Sequence, residues 1–394
     1  MRILVSGAGV AGPTLAYWLL RHGFTPTLVE IAPQLRTGGY IIDFWGAGFD
    51  IANRMGMLPS LRPYSYLVRE LRAVDERGRT AASIPTDGFF RMTHGQFLSI
   101  ARGDLAACIY ATLDGKVETL FGDRVVRLEQ SEAGVEVGFA ARPARHFDLV
   151  IGCDGLHSGI RQLVYGDDSQ FEKYLGVKVA AFHAEGYAPR EELVYLLHTA
   201  VGRQIARFSL RGDRTMFLFT FEDHDPSLPP TLVEQKALLR AKFGGMGWET
   251  PQILDALDGS HSLYIDRVSQ IHMGPAADSW SRGRVSLLGD AAFAVSLLAG
   301  QGTALSMIAA YILAGELRRA DGDYKRAFAQ YQARFGSFIL GKQNAAPRLA
   351  GFFAPRSRLA LFLRNQGMKL MRLPGVANFA FRGDLRDRIE LPEY

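Results

Sequence analysis

The sequence predicts an α/β fold in which a mostly parallel sheet is joined to a mixed or antiparallel one and closed by a C-terminal helix. Three observations carry this prediction. The first thirty residues read as strand, glycine turn, helix, strand. Two later apolar runs, Leu149-Val150-Ile151 and Val285-Ser286-Leu287-Leu288, each end in a turn holding a glycine and an aspartate, as buried parallel strands do where they meet a ligand-facing loop. Between them, Lys178 to Glu222 is strand after strand, with aromatic and β-branched runs separated by polar turns.

The opening unit is the most specific. Arg2-Ile3-Leu4-Val5-Ser6 has the length of a buried strand and feeds Gly7-Ala8-Gly9-Val10-Ala11-Gly12, after which an apolar helical pattern runs from Thr14 to Leu20. A second run, Thr25 to Val29, ends in Glu30, 18 residues beyond the last glycine. Gly7 permits the tight turn, Gly9 lets backbone N–H groups approach a pyrophosphate, and Gly12 lets helix and strand pack closely. The helix N-terminus then turns its positive end to the phosphates, and Glu30 can accept the hydroxyls of a ribose. A glycine turn alone is weak evidence, but here strand, helix and acid stand at the spacing of a Rossmann-like dinucleotide site.

Composition narrows the class. A chain of 394 residues suits a large α/β domain with a companion, and 48% hydrophobic with 22% charged residues excludes disorder. No apolar run reaches the roughly 18 to 20 residues that span a bilayer, so no integral membrane association is expected. The N-terminus begins with a strand and has no signal-peptide pattern, which predicts a cytoplasmic protein. Cys108 and Cys153 stand far apart in apolar contexts and predict neither a disulfide nor a cysteine metal site. The net charge of +5 is mild and suits anionic substrates or NADPH. No nucleic-acid partner and no metal are expected, and monomer and homodimer both stay open.

After Glu30, the paired Gly38-Gly39 precede an apolar strand that includes Asp43, so backbone can lie close to a flat ligand. An ordinary loop with Arg36 on its surface fits equally well. Ile51 to Leu58 reads as a short helix ending near Gly56, and Leu67 to Val74 and Ala81 to Ile84 read as strands of the second sheet. The chain returns at Arg102-Gly103-Asp104-Leu105, with Leu105, Ile109 and Leu113 on one helical face. Arg102 at a helix start is unfavourable unless an anion is near, which hints at a phosphate or flavin. Lys116 to Leu128 and Gly134 to Phe139 read as a hairpin-like excursion. Asp154-Gly155 after the strand at Asp148 is either a ligand group at a sheet edge or simply a turn or helix cap. Helices are expected at Leu232 to Phe243 and Pro251 to Leu257. Gly289-Asp290 follows the last strand, and Gly300-Gln301-Gly302 opens an apolar helix to about Leu317. Bare amides at a helix start suit a partial negative charge, such as the one a reduced flavin carries at N1 and O2.

Together these motifs resemble the single-component, NAD(P)H-dependent flavin monooxygenases related to para-hydroxybenzoate hydroxylase. The likeness rests on Gly7-x-Gly9-x-x-Gly12 with Glu30, on Asp154-Gly155, and on Gly289-Asp290 with Gly300-Gln301-Gly302, and it spans residues 1 to about 320. Arg36-x-Gly38-Gly39-x-x-x-Asp43 with Arg102-Gly103-Asp104-Leu105 looks most like the tetracycline-inactivating branch. The resemblance implies that Glu30, Asp43, Arg102 and Asp290 contact FAD, that Arg36 helps hold NADPH (or NADH), and that Asp154 supports both cofactors. It adds Val10, Ala11, Val126, Gly155 and the glycines to the cofactor contacts. This chain departs from the family pattern at Phe293, Leu297, Ala304 and Ala309, where histidine, proline, asparagine and aspartate are usual.

The expected reaction is hydroxylation of a phenolic or polycyclic aromatic compound, polyketide- or antibiotic-like. NADPH reduces FAD, O₂ adds to give a flavin C4a-hydroperoxide, and one oxygen passes to a small aromatic substrate. The alternatives are a flavin oxidase or reductase without oxygen insertion and a non-catalytic FAD-binding protein. No second glycine fingerprint follows the first, which argues against a two-Rossmann reductase. No catalytic side chain is assigned. His183 and His198 could deprotonate a phenol, though a hydrogen-bonded strand histidine is the simpler reading. Phe182, Phe208, Phe217, Phe219 and Phe221 read as mixed core and pocket, with the last three on one face.

The expected division is a discontinuous FAD-binding domain (1–70, 95–172 and 275–320), a substrate domain (71–94 and 173–274) and a C-terminal helical region (321–394). That last region is rich in arginine (Arg356, Arg358, Arg364, Arg372, Arg382, Arg386, Arg388) with apolar residues between, and candidate helices at Tyr324 to Leu340 and Ser357 to Leu373. A helix packed across the two domains with a solvated basic face is preferred over a membrane-surface or nucleic-acid element.

Overall fold

The computed structural model describes residues 1–36, 40–87, 90, 93, 95–274, 279–372, 376 and 389–394, apart from the side chains of residues 299 and 347–350. Gly38, Gly39, Arg382, Arg386 and Arg388 lie outside the described residues.

Ile3, Leu4 and Val5 are all buried, as expected of a strand covered on both faces. Arg2–Ser6 lies at the centre of a six-stranded sheet. Thr25–Glu30 and then Glu118–Phe121 flank it on one side; Leu149–Gly152, Val285–Leu287 and Ser281–Arg282 flank it on the other. All neighbours are parallel except the outermost pair. Helix Ala11–Arg21 packs on helix Gly302–Arg319, with Trp18 edge-on to Tyr311 at 4.9 Å.

The second sheet has seven strands in the order Tyr264–Ile271, Glu172–Glu185, Arg214–Glu222, Arg203–Ser209, Val194–Ala200, Glu70–Val74, Thr80–Pro85. It is mixed: Val194–Ala200 runs parallel to Glu70–Val74 and the other pairs are antiparallel. Helices Leu232–Phe243 and Thr250–Gly259 cover one face. The first starts with a capping box in which Thr231 and Glu234 satisfy each other's free backbone N–H groups. Phe182, Phe217, Phe219 and Phe221 pack beneath them with Leu239, Phe243 and Ile253. The phenylalanine alternation does set one face, but that face is core and not pocket. Only Phe208 of the five points the other way, stacking on Tyr195 at 4.4 Å.

Several elements differ from expectation. The helix expected at Ile51 spans Gly46–Arg54, because Gly48 is needed at its contact with Ala304, where an added Cβ would come within 2.6 Å. The expected hairpin divides at Gly122 (φ 68°): Glu118–Phe121 joins the parallel sheet, while Val125–Gln130 pairs with Val135–Phe139. Phe97–Ala101 and Tyr264–Ile271 are strands that the pattern did not announce. The helix from Tyr324 continues past Leu340 to Phe353, where Gln343 donates to the carbonyl of Ile271 at 2.7 Å and its own carbonyl accepts from Gln270 at 2.8 Å. It thus runs from helix Gly302–Arg319 to the edge of the seven-stranded sheet. Helix Arg358–Leu370 lies on the far side of that sheet, with Met368 buried against Ala73 and Ala82. The last residues return to the first layer, where the Tyr394 hydroxyl donates to Glu316 at 2.8 Å and its ring fills the space that a Cβ on Gly315 would occupy. No helix among the described residues is long and apolar enough to cross a membrane.

Candidate functional site

The glycine turn is shaped by backbone contacts. Gly7 (φ 104°) lies against the carbonyl of Cys153, and a Cβ on Gly12 would stand 1.9 Å from the Gly7 carbonyl oxygen. Gly9 differs, because a Cβ there would meet nothing within 4 Å. Two of the three glycines are therefore forced by packing, and the third borders open space in front of the helix start. Val10 and Ala11 continue from it, both buried, as the helix begins. At the end of the second strand, Glu30 accepts from Ala8 N at 2.8 Å and from Ala32 N at 2.9 Å. Each oxygen keeps a second lone pair for a ribose hydroxyl. Arg36 stands 3.8 Å from Glu30 with a side chain 76% exposed, a solvent-facing cation at the rim.

A second group of residues gathers at the last strand of the parallel sheet. Gly289 (φ 69°) packs against Ser306 and Ala11, which places Asp290 at the start of a short helix. Burial pushes the Asp290 carboxyl up, and Arg102 partly offsets this. Gly302 is held close to it: a Cβ there would lie 3.4 Å from Asp290 Oδ1. Gly300 is left-handed (φ 66°), and Gln301 stands at the N-cap position of the eighteen-residue helix that starts at Gly302, without a side-chain capping bond. Arg102 is exposed at the start of helix Arg102–Ala111, and its backbone N–H donates to Tyr40. Its charge is felt by Asp290, Tyr40 and Tyr264 alike. Beside them, His157 bonds to Asp266 at 3.1 Å, which raises the imidazole pKa above its ordinary value. Tyr40, His157, Tyr264 and Asp266 were not singled out in the sequence, since they come from three separate segments. Only the position of His157, three residues beyond Asp154, gave any signal.

Asp154 and Gly155 sit otherwise. The Asp154 carboxyl accepts from Ser158 Oγ at 2.5 Å and Ile160 N at 3.0 Å, so its oxygens cap the helix Gly159–Tyr165. Gly155 (φ 82°) supplies the turn. Arg161, fully buried, then ties this loop to the Asp290 turn by donating to the Ala291 carbonyl at 2.9 Å. Val126 lies on strand Val125–Gln130, 43% exposed. Of the four family departures, Phe293 is buried against Trp280 (4.8 Å) and Phe335 (5.4 Å), and Ala309 is fully buried. Ala304 meets Gly48, and Leu297 packs against Val177, Val179 and Val268 of the seven-stranded sheet.

Asp43 links the two regions. Ser99 donates to its Oδ1 at 2.5 Å, and burial raises its carboxyl despite that bond. Burial likewise lifts the Tyr195 hydroxyl far above its usual range, with Asp43 adding to the effect and Ser99 opposing it by a hydrogen bond. Tyr195 belongs to the face of the large sheet opposite the helices. Across that face the registers align His183, Met216, Phe208 and Tyr195 in one row and Ala181, Leu218, Ala206 and Leu197 in the next. The second row is flat and apolar, and the first carries a polar group at each end. His198 lies on the helix side, buried, bonded to the Val74 carbonyl and near Trp248. Burial lowers its pKa, so it is a core histidine away from this face.

The residues fit FAD: at Gly9 no protein atom would meet an added Cβ within 4 Å, Glu30 is an acid placed for a ribose, and a helix starts beside the buried Asp290 carboxyl. Residues 108–321 match the family described as an FAD binding domain. The chain is 33% identical over 354 residues to a flavin-dependent monooxygenase of Legionella longbeachae, covering 87% of each protein. An uncharacterized Mycobacterium tuberculosis protein is 38% identical over 345 residues, or 86% of this chain and 90% of that one. Among solved structures, the tetracycline destructase Tet(51) superposes with a TM-score of 0.83 at 31% identity, over 100% of this chain and 99% of that one.

Proposed function

Because the chain belongs to the FAD-dependent flavin monooxygenases, we propose that it hydroxylates a phenolic or polycyclic aromatic compound, antibiotic- or polyketide-like, using NADPH or NADH. The observation that carries this reading is the flat floor Ala181, Leu218, Ala206, Leu197 beside the row that runs from His183 to Tyr195. Alanine and leucine, neither branched at Cβ, leave room on a pleated sheet for a planar ring system, and apolar walls exclude water from it. The likeness to a tetracycline destructase supports a polycyclic substrate.

When bound, FAD reduced by the nicotinamide would supply the oxygen-activating chemistry. The chain's own residues do the rest. Gly7, Gly9 and Gly12 admit the pyrophosphate, Glu30 takes the ribose hydroxyls, and Asp43, Arg102 and Asp290 hold the flavin half. The amides around Gly300, Gln301 and Gly302 would stabilise charge on the flavin, and Val126 would be a further cofactor contact. Arg36 pairs with the nicotinamide dinucleotide, and Asp154 with Gly155 positions the loop between both cofactors. Tyr195 orients the substrate by its hydroxyl, and His183 receives the phenol proton. The division into FAD-binding segments (1–70, 95–172, 275–320), a substrate unit (71–94, 173–274) and a bridging C-terminal region belongs to the same reading.

The test is stopped-flow absorbance of the holoenzyme, reduced anaerobically with NADPH across a panel of aromatic ligands and then mixed with ¹⁸O₂. Ligand-accelerated reduction, a blue-shifted transient and one ¹⁸O in the product are expected. Direct reoxidation with unlabelled product would assign an oxidase or reductase, and absence of reduction a flavin-binding protein.

A further inference from the structure

Helix Arg358–Leu370 is apolar on two faces. Met368 is 1% exposed where it packs on the seven-stranded sheet, and Arg364 reaches Thr199 Oγ1 from the same side at 3.0 Å. On the opposite side Leu359, Phe362, Leu363 and Leu370 are 65%, 56%, 58% and 55% exposed. At about 100° per residue, Leu359, Leu363 and Leu370 fall within roughly 40° of one another, and Met368 lies about 180° from Leu359. The exposed leucines therefore form a stripe turned away from the protein, with Phe362 at its edge. Arg358 and Lys369, both exposed, flank the stripe on the Phe362 side.

Charge along the chain points to what covers this stripe. Residues 324–383 hold eleven lysines and arginines and no aspartate or glutamate. The rest of the chain then carries 34 basic against 40 acidic residues, a net of −6. A protein whose overall charge is only +5 has thus concentrated its positive charge in the region that carries its exposed apolar helix. A helix with leucine and phenylalanine on one side and arginine and lysine at its border is built to lie in a membrane interface, with apolar side chains among acyl chains and cations at the headgroups. Duplex nucleic acid would use the cations and leave the leucines in water. A second copy would bring like charge against like charge.

We propose that helix Arg358–Leu370 docks the enzyme peripherally on an anionic lipid surface through Leu359, Phe362, Leu363 and Leu370, steered by Arg358, Lys369 and the excess of basic residues in the stretch of chain that holds them. The helix also packs beside the substrate sheet, so docking would bring that sheet to a surface where apolar aromatic compounds concentrate.

The experiment is flotation of the full-length FAD-loaded protein with phosphatidylcholine vesicles, with and without about one third phosphatidylglycerol. Binding is expected only to the anionic vesicles and is expected to weaken as salt rises. Phe362→Ser with Leu363→Ser should lower the partition coefficient at least about tenfold, and Arg358→Gln with Lys369→Gln about fivefold per charge removed. FAD content and melting temperature, measured on each variant, separate lost docking from lost folding; Leu363→Met should bind as the parent does. Failure to bind anionic vesicles overturns the proposal, as does binding that both double variants retain. Concentration-dependent dimerisation abolished by Phe362→Ser and Leu363→Ser, without vesicle binding, would assign the stripe to a second copy. A raised KM for the aromatic substrate as the only effect would assign it to substrate entry. Binding to duplex DNA that ignores Phe362 and Leu363, in place of vesicle binding, would overturn it equally.

Discussion

Alanine at Gly12 and alanine at Gly9 should separate the stability of the dinucleotide turn from its ligand binding. A Cβ on Gly12 would stand 1.9 Å from the Gly7 carbonyl oxygen, where real Cβ contacts essentially never fall below 3.0 Å, so turn and helix must part by about 1.1 Å or more. Overpacking of that kind costs about 1–3 kcal/mol, and it should tilt the amides proposed to face the pyrophosphate. Gly12→Ala is therefore expected to lower the urea midpoint of the FAD-free protein and to weaken FAD binding as well. At Gly9 the added Cβ meets no protein atom within 4 Å. There the loss of chain entropy in the unfolded state should leave the FAD-free protein unchanged or more stable by about 0.4–1 kcal/mol. The same methyl enters the space assigned to the pyrophosphate, so FAD affinity should fall at least about tenfold, or about 1.4 kcal/mol. Flavin fluorescence titration and urea denaturation of both variants suffice. A Gly9→Ala protein that binds FAD as tightly as the parent would refute the placement of the ligand. A Gly12→Ala protein as stable as the parent would refute the packing argument.

Other perturbations have equally definite signs. The Asp266 contact raises the His157 pKa, so this pair stabilises the fold fully below the ordinary histidine value near 6.5 and loses its contribution as pH rises through the folded value. Both partners are partly hydrated, and the effect is below about 1 kcal/mol; urea midpoints of parent and His157→Gln should differ most at about pH 5.5 and converge by about pH 8.5, and a gap that widens with pH would contradict this. Burial raises the Asp43 carboxyl, which penalises the folded state above its folded pKa and not below the unfolded one. Asp43→Asn should thus raise the melting temperature of the FAD-free protein at neutral pH, with a gain that shrinks toward acid, while steady-state hydroxylation slows by roughly tenfold. Gly315→Ala would collide with the Tyr394 ring at 2.1 Å and cost about 1–3 kcal/mol; with Tyr394→Ala present that cost should largely vanish, a non-additivity that a double-mutant cycle reads directly. Restoring the usual family residue by Phe293→His would place a polar ring against Trp280 and Phe335, and a loss of about 1–3 kcal/mol in denaturation is expected.

The glycine turn and Glu30 were legible because their spacing is set within one strand-helix-strand unit, although the Cys153 carbonyl that packs on Gly7 comes from far along the chain. The Asp290 turn was legible for a similar reason, as its glycines lie within a dozen residues. Asp43, Ser99 and Tyr195 were not legible as a group: Ser99 reaches Asp43 across 56 residues, and no local pattern announces that two strands will pair there. Helix Gly46–Arg54 begins ahead of the apolar run at Ile51 because its first turn holds two glycines, which carry no apolar periodicity, and one of them lets Ala304 approach. The alternation at Phe217, Phe219 and Phe221 established one face of a strand but not which face. That was decided by helices Leu232–Phe243 and Thr250–Gly259, which follow in sequence and cover those rings.

The position of Arg2–Ser6 at the middle of the parallel sheet has a consequence for synthesis. This strand leaves the ribosome well ahead of its partners on one side: its neighbour Leu149–Gly152 and the next strand, Val285–Leu287, appear much later. At about 5–20 residues per second, the 281 residues from Ser6 to Leu287 take roughly 15 to 55 s to synthesise. For that time the nascent chain exposes unpaired apolar strand edges, and the helix start at Gly302, part of the proposed cofactor cradle, does not yet exist. Chaperone occupancy during translation and the supply of free FAD after it should therefore govern the yield of active protein more than codon choice in the first hundred residues.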